Sequence, residues 1–526
     1  MESYFCQQCC RFLDYDFDDA ASESVSKFTC PICLDLFRAD EDLVERLRQA
    51  CDPYGGVKGN RFVTQAPNIL LPGDVSLRYR IASMGRNGAP FSKFQSSLKD
   101  HLRNVIADYV EDNQKSINSF AEYPDCIAKE EQGFLAAHLL VAPVKDISRP
   151  PIPFIIKPKQ NNRKRFRGND PTEKQGGHPI VNKQQRLIRD GYDFWTLSEV
   201  EMSWSKASKE VKQSLAMWFN NLDKDKPGSQ LHVIVCRQPL YVRALYTKAR
   251  RDVSQTPFYV PDKDEQGKTV MKRLGVTSVE EQIVPSILKS IGGVSKLNNN
   301  ADIDDIVYGM VKFHASGRED MNVRMTLPPD LTDNVGGRPF VLEIIDALRL
   351  PTVNQLRAVV SEINHTGPDD PTEIVSSDGR TYGRNPFGVG ISSCLRFVPG
   401  NSFRTLQSDT EEKVKYYGCD CWSEARIPSS DYLNERLAVC PIVLRQRTPV
   451  RVLHRRPNFA RTRHILSLKA TKVDEHNFRL NISTDAGTYV KEFVHGDLGR
   501  TVPSVSSLLG CKTDIPVLDC EGIQQC

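Results

Sequence analysis

The stretch HASGREDMNVR (314–324) sets Arg318, Glu319 and Asp320 side by side after a glycine, with Arg324 close behind. A solvated turn is the bland use of such residues. The same types could also aim one carboxylate at a substrate, because a carboxylate in a groove built for a polyanion needs a cation to keep it charged and pointed. Two further segments offer groups that such chemistry would call on. KVKYYGCDCW (413–422) holds Tyr416 and Tyr417, either of which could stack on a base, and DAGTYVKEFVHGDLGRT (485–501) holds Lys491. Taken singly, each has a plainer reading. Asp320 would pair with Arg318 or Arg324 in a turn, Tyr417 would fill a strand core, and Lys491 would be an ordinary helix-surface lysine.

Four cysteines carry a second chemistry. Cys6 and Cys9 form one C-x-x-C hook and Cys30 and Cys33 another, separated by twenty residues. Two such hooks supply the four soft ligands of a tetrahedral structural zinc site. Reduced, half-buried cysteines of a small amino-terminal subdomain are the alternative. Cys10, next to Cys9, would point elsewhere and is a substitute ligand at best.

Charge distribution says more than the total. Seventy Lys and Arg against 66 Asp and Glu leave a formal charge of only +4. Yet Pro441 to Ala470 contains no acid and carries Arg445, Arg447, Arg451, Arg455, Arg456, Arg461, Arg463 and Lys469, and KPKQNNRKRFRG (157–168) is equally pure. Like charges repel, so such runs call for a polyanion, an acidic neighbour or solvent; two of them favour RNA or DNA. No apolar run approaches the roughly 18 residues of a membrane helix. The opening MESYFCQQCCRF lacks the pattern of a secretory signal, so nucleus or cytoplasm is the expected location.

The elements that must position these groups can be placed by periodicity. At 526 residues, two or three domains are expected. Leu98, Leu102, Val105, Ile106 and Tyr109 mark an amphipathic helix over 92–112, and GFLAAHLLVAPV (133–144) is apolar enough for core. Residues 204–228 read as another helix, LHVIVCR (231–237) and PLYVRALY (239–246) as strands, and 278–291 as a helix interrupted by Pro285. VKFHA (311–315) and RPFVLEII (338–345) are strands flanking the SGRED loop. RHILSLKA (463–470) and NFRLNIST (477–484) form a hairpin, because Phe478, Leu480 and Ile482 alternate with polar residues. A short helix broken by Gly496 then carries Lys491 beside that sheet, a rigid place for a catalytic cation. These features predict an α+β protein: a zinc-knuckle subdomain over 1–40, an accessory α/β part over 41–156, a basic linker or loop over 157–184, a further α+β module over 185–285, and a catalytic domain over 286–526.

Taken together, GREDMNVR (317–324), GGRPFVLEI (336–344), TPVRVLHRRP (448–457), VDEHNFRL (473–480) and AGTYVKEFVHGDLGRT (486–501) resemble the archaeal and eukaryotic tRNA pseudouridine synthases that modify uridines 54 and 55 of the T arm. The resemblance covers most of 231–520, including QPLYVRALYTKARRDVSQTP (238–257), and extends to the paired knuckles. It implies a catalytic domain built on a mixed, mainly antiparallel sheet with flanking helices. The upstream half, similar only loosely, would be an accessory module with a THUMP-like RNA-binding part over 185–285.

By the same resemblance Asp320 would be the catalytic aspartate and Arg318 the arginine that holds the flipped nucleotide open. Tyr417, in the K-x-K-x-Y context of Lys413 to Tyr417, would stack on the target base. Lys491 would bond the aspartate, with Val490 lining the pocket. Arg324, Lys248, Arg250, Arg251, Arg451, Arg455 and Arg456 are the expected substrate-binding cations. The implied partner is tRNA through its T arm, with other structured RNA open; no organic cofactor, membrane or obligate protein partner is implied. Asn322 stands where the family usually has a second acid, and the link TLPPDLTDNVGG (326–337) is longer than usual. The rival class is a non-catalytic, zinc-containing RNA-binding protein. A methyltransferase would call for a glycine-rich cofactor loop, and no G-x-G-x-x-G or P-loop string occurs.

Overall fold

A computed structural model describes residues 5–14, 30–58, 60–63, 67–114, 125–143, 197–222, 229–292, 309–327, 335–364, 374–375, 381–382, 385–402, 404–406, 413–437, 440–453 and 456–525. The basic segment 157–168 and Arg455 lie outside them. The chain divides into two compact units, one of residues 1–121, 133–238 and 295–308, the other of 122–132, 239–294 and 309–526.

In the first unit, α1 (Gln7–Leu13) and α2 (Asp40–Cys51) precede β1 (Asn68–Leu70), α3 (Gly73–Ala82) and α4 (Phe91–Gln114). The α4 stripe runs through Phe94, Leu98, Leu102 and Ile106, a spacing of four that puts all of them on one buried face. β2 (Leu135–Pro143) pairs in parallel with β1 and antiparallel with β3 (Ser229–Arg237), and α5 (Leu197–Lys206) and α6 (Lys209–Asn220) pack on α3. The helix expected over 204–228 is therefore two helices, separated where Ser208 caps α6 by accepting from the Val211 amide. Pairing of β2 with β3 joins the parts expected separately over 41–156 and 185–285.

The second unit holds the large sheet. Its strands begin with β4 (Leu240–Lys248), followed by the exposed hairpin β5 (Phe258–Lys263) and β6 (Thr269–Leu274) and by α7 (Val279–Ser290). Then come β7 (Met310–Ala315), β8 (Arg324–Met325), β9 (Arg338–Ile345), α8 (Val353–Ile363), β10 (Lys415–Ser423), α9 (Ser430–Leu437), β11 (Ile442–Arg447), β12 (Ala460–Lys472), β13 (Asn477–Thr484), α10 (Val490–His495) and β14 (Thr513–Gln524). From one edge the order is Thr501–Val502, β11, β12, β13, β10, β14, β8, β4, β9, β7. The β8–β14 pair is parallel and the other neighbours along this path are antiparallel, so the protein is α+β with a mixed, mainly antiparallel sheet.

One boundary differs from the sequence expectation. Residues 239–285 belong to the large sheet's unit rather than to an RNA-binding part. The reason is β4, which pairs with β9 from Leu240–Ile344 to Tyr246–Arg338. Its alternation buries Leu240, Val242, Ala244, Tyr246 and Lys248 on one face of a central strand.

Candidate active site

The SGRED loop leaves β7 through Gly317, whose φ of 74° lies in the left-handed region that glycine enters without strain. The next residue but one, Glu319, turns inward. Its two oxygens accept from the Tyr246 hydroxyl at 2.9 and 3.0 Å, and Arg338 Nε lies 2.7 Å away, a charge-to-charge contact rather than an aligned hydrogen bond. Both side chains are almost wholly buried, at 3% and 4% exposure. Burial alone would lower the Arg338 pKa, but the Glu319 charge outweighs it and raises the guanidinium above its usual value. Arg338 also donates to the Ser316 carbonyl at 2.7 Å, and Gln255 bonds both the Tyr246 hydroxyl and the Gly317 carbonyl. The loop is thus clamped from below on both sides of Arg318.

That clamp sends Asp320 the other way, to the rim of a cavity of about 710 Å³. Asp320 Oδ2 lies 3.0 Å from Arg451 Nη1 and 3.5 Å from Lys491 Nζ. Lys491 sits in the first turn of α10, where the Gln446 side chain fixes the start of the helix by bonding both the amide and the carbonyl of Tyr489 at 3.0 Å. Lys491 Nζ also donates to Asn322 Oδ1 at 3.4 Å, a neutral amide beside the aspartate. Arg451 comes from the turn after β11 and is itself held by the buried Glu492, 2.8 Å from its Nε. Burial opposes the Arg451 charge, but the Glu492 bond outweighs it and raises its pKa. A three-carbon guanidinium stem carrying one fork to Glu492 and another to Asp320 fixes the aspartate's direction.

Tyr417 and Val490 line the same cavity. Tyr417 is half-buried on β10, opposite Cys520, and burial raises its hydroxyl pKa far above the ordinary range. Arg318 and Arg456 also line it. Arg318 is exposed and rests over the Phe258 ring of β5 at 5.2 Å, while Arg456 donates to the Tyr489 hydroxyl at 3.2 Å. Arg461 and Arg463 complete the cationic wall. Gly487, with φ 74°, lets the chain pass Arg463 on its way into α10.

The other expected substrate-binding cations face inward or toward acids. Lys248 is fully buried, its ammonium donating to the carbonyls of Arg250, Val253 and Met321 at 3.3, 2.9 and 2.8 Å. It is a brace under the Asp320 loop rather than an RNA-facing charge. Burial pushes its pKa down to about 8. Arg251 and Arg324 both bind the buried Asp519, at 2.6 Å and 2.5 Å, and their charges outweigh the burial that would otherwise raise that carboxyl's pKa. Arg250 pairs at the surface with Asp252. Sequence reasoning missed Arg338, Glu492 and Lys415. The alternation Lys413, Lys415, Tyr417, Cys419, Cys421 was the available signal for the last.

In the first unit, Cys6, Cys9, Cys30 and Cys33 are all buried and their sulfurs lie within 4.8 Å of one another. Cys6 Sγ is 3.7 Å from Cys33 Sγ, and the Cys6 amide points at Cys30 Sγ from 3.4 Å. Four Zn–S bonds of about 2.3 Å in a tetrahedron would put sulfurs about 3.8 Å apart, so the donor set fits a structural metal ion. Cys10 is outside the cluster, its thiol facing the Phe5 carbonyl at 3.8 Å.

Fold and site together define an α+β protein with a cation-walled cavity that presents one braced aspartate. A family model described as "Pus10, C-terminal" matches residues 241–376 and 388–524, a little over half of the chain, and the chain belongs to this family. Among its relatives, tRNA pseudouridine synthase Pus10 of Mus musculus is 32% identical over 286 residues, 54% of this chain and 44% of that protein. The protein of the same name from Methanothermobacter marburgensis is 33% identical over 297 residues, 55% of this chain and 61% of its own length. The match spans about half the length of these curated relatives. A solved structure titled "Crystal Structure of a Cbf5-Nop10-Gar1 Complex" overlaps 24% of this chain and 36% of that one, at 18% identity and a TM-score of 0.19.

Proposed function

We propose that this protein is a tRNA pseudouridine synthase acting on uridine 54, uridine 55 or both in the T arm. The observation that carries the reading is Asp320 Oδ2, held 3.0 Å from Arg451 and 3.5 Å from Lys491 on the rim of a cavity that Tyr417 also lines. The named relatives support the same class.

The reaction is an isomerisation. The bond from ribose C1′ to uracil N1 breaks, the freed base turns, a C1′–C5 bond forms, and the C5 proton is lost while N1 gains one. Asp320 serves as nucleophile toward the sugar or as the base that removes a ribose proton. Arg451 and Lys491 hold that carboxylate in one direction, and the Tyr417 ring gives the uracil a flat surface to turn against. Arg318 enters the space that the nucleotide vacates on leaving its stack. No organic cofactor takes part.

RNA is held by shape and phosphate contacts, as expected for an A-form stem and loop. Arg445, Arg447, Arg456, Arg461 and Lys469 are exposed and form the proposed contact surface with the cavity's arginines. The first unit acts as a THUMP-like accessory module whose four-cysteine cluster holds zinc for structure alone. The test is an unmodified tRNA transcript incubated with the protein and mapped at single-nucleotide resolution. Pseudouridine at position 54 or 55 supports the reading, and conversion confined to another arm overturns the T-arm assignment.

A further inference from the structure

A further cation on the cavity wall has no hydrogen-bond or ion-pair partner among the described residues. Lys415 opens β10 and lies two residues before Tyr417, so the pleat points both side chains to the same face, and both line the cavity. The residue is 8% exposed, and among the described residues its ammonium makes no hydrogen bond or ion pair. Nearby carboxylates are already taken. Glu319 belongs to Arg338 and Tyr246, Asp320 to Arg451 and Lys491, and Glu492 to Arg451. The charged and titratable groups that act on Lys415 are Arg338 from β9, Cys520 from β14 and Glu319 from the loop, with Tyr417 beside it on its own strand. Burial first, and the like charge of Arg338 second, push its pKa down to about 8.

An uncompensated ammonium inside protein costs stability, and such a cost is retained where it serves a bound ligand. We infer that Lys415 is a further substrate-contacting residue: its ammonium meets a carbonyl oxygen of the flipped uracil and stabilises the negative charge that the base acquires as the C1′–N1 bond breaks. This inference rests on the reading of the cavity as a pseudouridine-forming site. Heterolysis leaves the bonding electron pair on N1, and resonance spreads that charge to the O2 and O4 oxygens. A donor fixed where charge develops favours the transition state over the bound uridine. Lys415 lines the same cavity as Asp320, Arg451 and Lys491, and in this inference it meets the base while they face the sugar. When C1′–C5 forms, the electron pair returns to the ring, N1 is reprotonated, and the oxygen loses its charge, so Lys415 keeps its own proton throughout.

The test compares the wild-type protein, Lys415→Met and Lys415→Arg by single-turnover conversion of a tRNA transcript, tRNA affinity and thermal unfolding. Lys415→Met should lose on the order of 10²-fold in rate while binding tRNA within about threefold of wild type, the loss seen when one oxyanion donor is removed. The same variant should melt at or above the wild-type temperature, since it removes an unpaired buried charge. Lys415→Arg should recover much of the rate and keep it above pH 8, where the wild-type rate at subsaturating protein falls as the lysine loses its proton. A Lys415→Met variant as fast as wild type, or one whose loss lies entirely in affinity or in melting temperature, overturns the inference. Inactive wild-type protein would instead sink the proposed function on which it rests.

Discussion

Replacing Glu319 with Gln should unfold the second unit early, and the size of the effect follows from the clamp beneath the active loop. Glu319 and Arg338 are buried to within a few per cent, and Glu319 also accepts two contacts from the Tyr246 hydroxyl. Neutralising one member of a buried ion pair leaves the other charged and unpaired, at a cost of about 3–5 kcal/mol. Gln can still accept from Tyr246, and Arg338 keeps its bond to the Ser316 carbonyl, so the lower figure, about 3 kcal/mol, is expected. For a unit of this size each kcal/mol moves the melting temperature by about 2–4 °C, which gives a fall of roughly 6–12 °C. Circular dichroism would read it. The control is the double change Glu319→Leu with Arg338→Met, which removes both charges and should melt above Glu319→Gln alone. Because Asp320 is the next residue, the single variant should also lose tRNA conversion at temperatures where it remains folded. Melting within 1 °C of wild type, or a double variant less stable than the single, would refute the account of the clamp.

Three further outcomes can be checked. Purified protein should carry one zinc per chain by elemental analysis, and Cys30→Ser should lose it and destabilise the first unit; a metal-free, equally stable wild type would end the zinc assignment. Affinity for tRNA should fall steeply with added salt, and Arg461→Ala combined with Arg463→Ala should reduce the slope by about one per arginine; a slope unaffected by the pair would place the RNA elsewhere. The pH dependence of Lys415→Met should run in one direction. With the folded pKa of Lys415 near 8 and an unfolded value near 10.5, the unfolded wild-type chain binds the extra proton between those values, so the lysine's destabilising effect is full below about pH 8 and fades toward 10.5. The variant's stability advantage at pH 7, up to about 3 kcal/mol, should therefore shrink as pH rises through that window. An advantage that grows with pH would contradict the sign.

The parts of the fold and site legible in the sequence were the ones set by local spacing. The two C-x-x-C hooks, the α4 stripe and the hairpin β12–β13 follow from residues a few positions apart. The candidate roles of Asp320 and Lys491 came from motif resemblance, and the structure brings the two together across 171 residues of chain. What stayed hidden depended on partners far away in sequence. Arg451 looked like one more cation in an acid-free run, and only folding puts it between Asp320 and Glu492. Arg251 and Arg324 looked like phosphate ligands because Asp519, nearly 200 residues beyond Arg324, could not be known to neutralise them. Lys248 was legible in part. Its place in the alternation of Leu240, Val242, Ala244 and Tyr246 marks it as inward-facing, but a lysine's positive charge argued the opposite. The boundary drawn at 286 failed for a related reason. A central strand and an edge strand share the same apolar alternation, and the pairing of β4 with β9 across nearly a hundred residues is a tertiary fact.

The central claim is that Asp320, braced by Arg451 and Lys491, breaks the glycosidic bond of a tRNA uridine. Nucleoside analysis of tRNA after incubation with wild-type protein and with Asp320→Asn tests it directly, with melting temperature and tRNA affinity measured on both. The account predicts pseudouridine from the wild type and none above background from the variant, which remains folded and still binds tRNA. Pseudouridine formed at the wild-type rate by Asp320→Asn would contradict it.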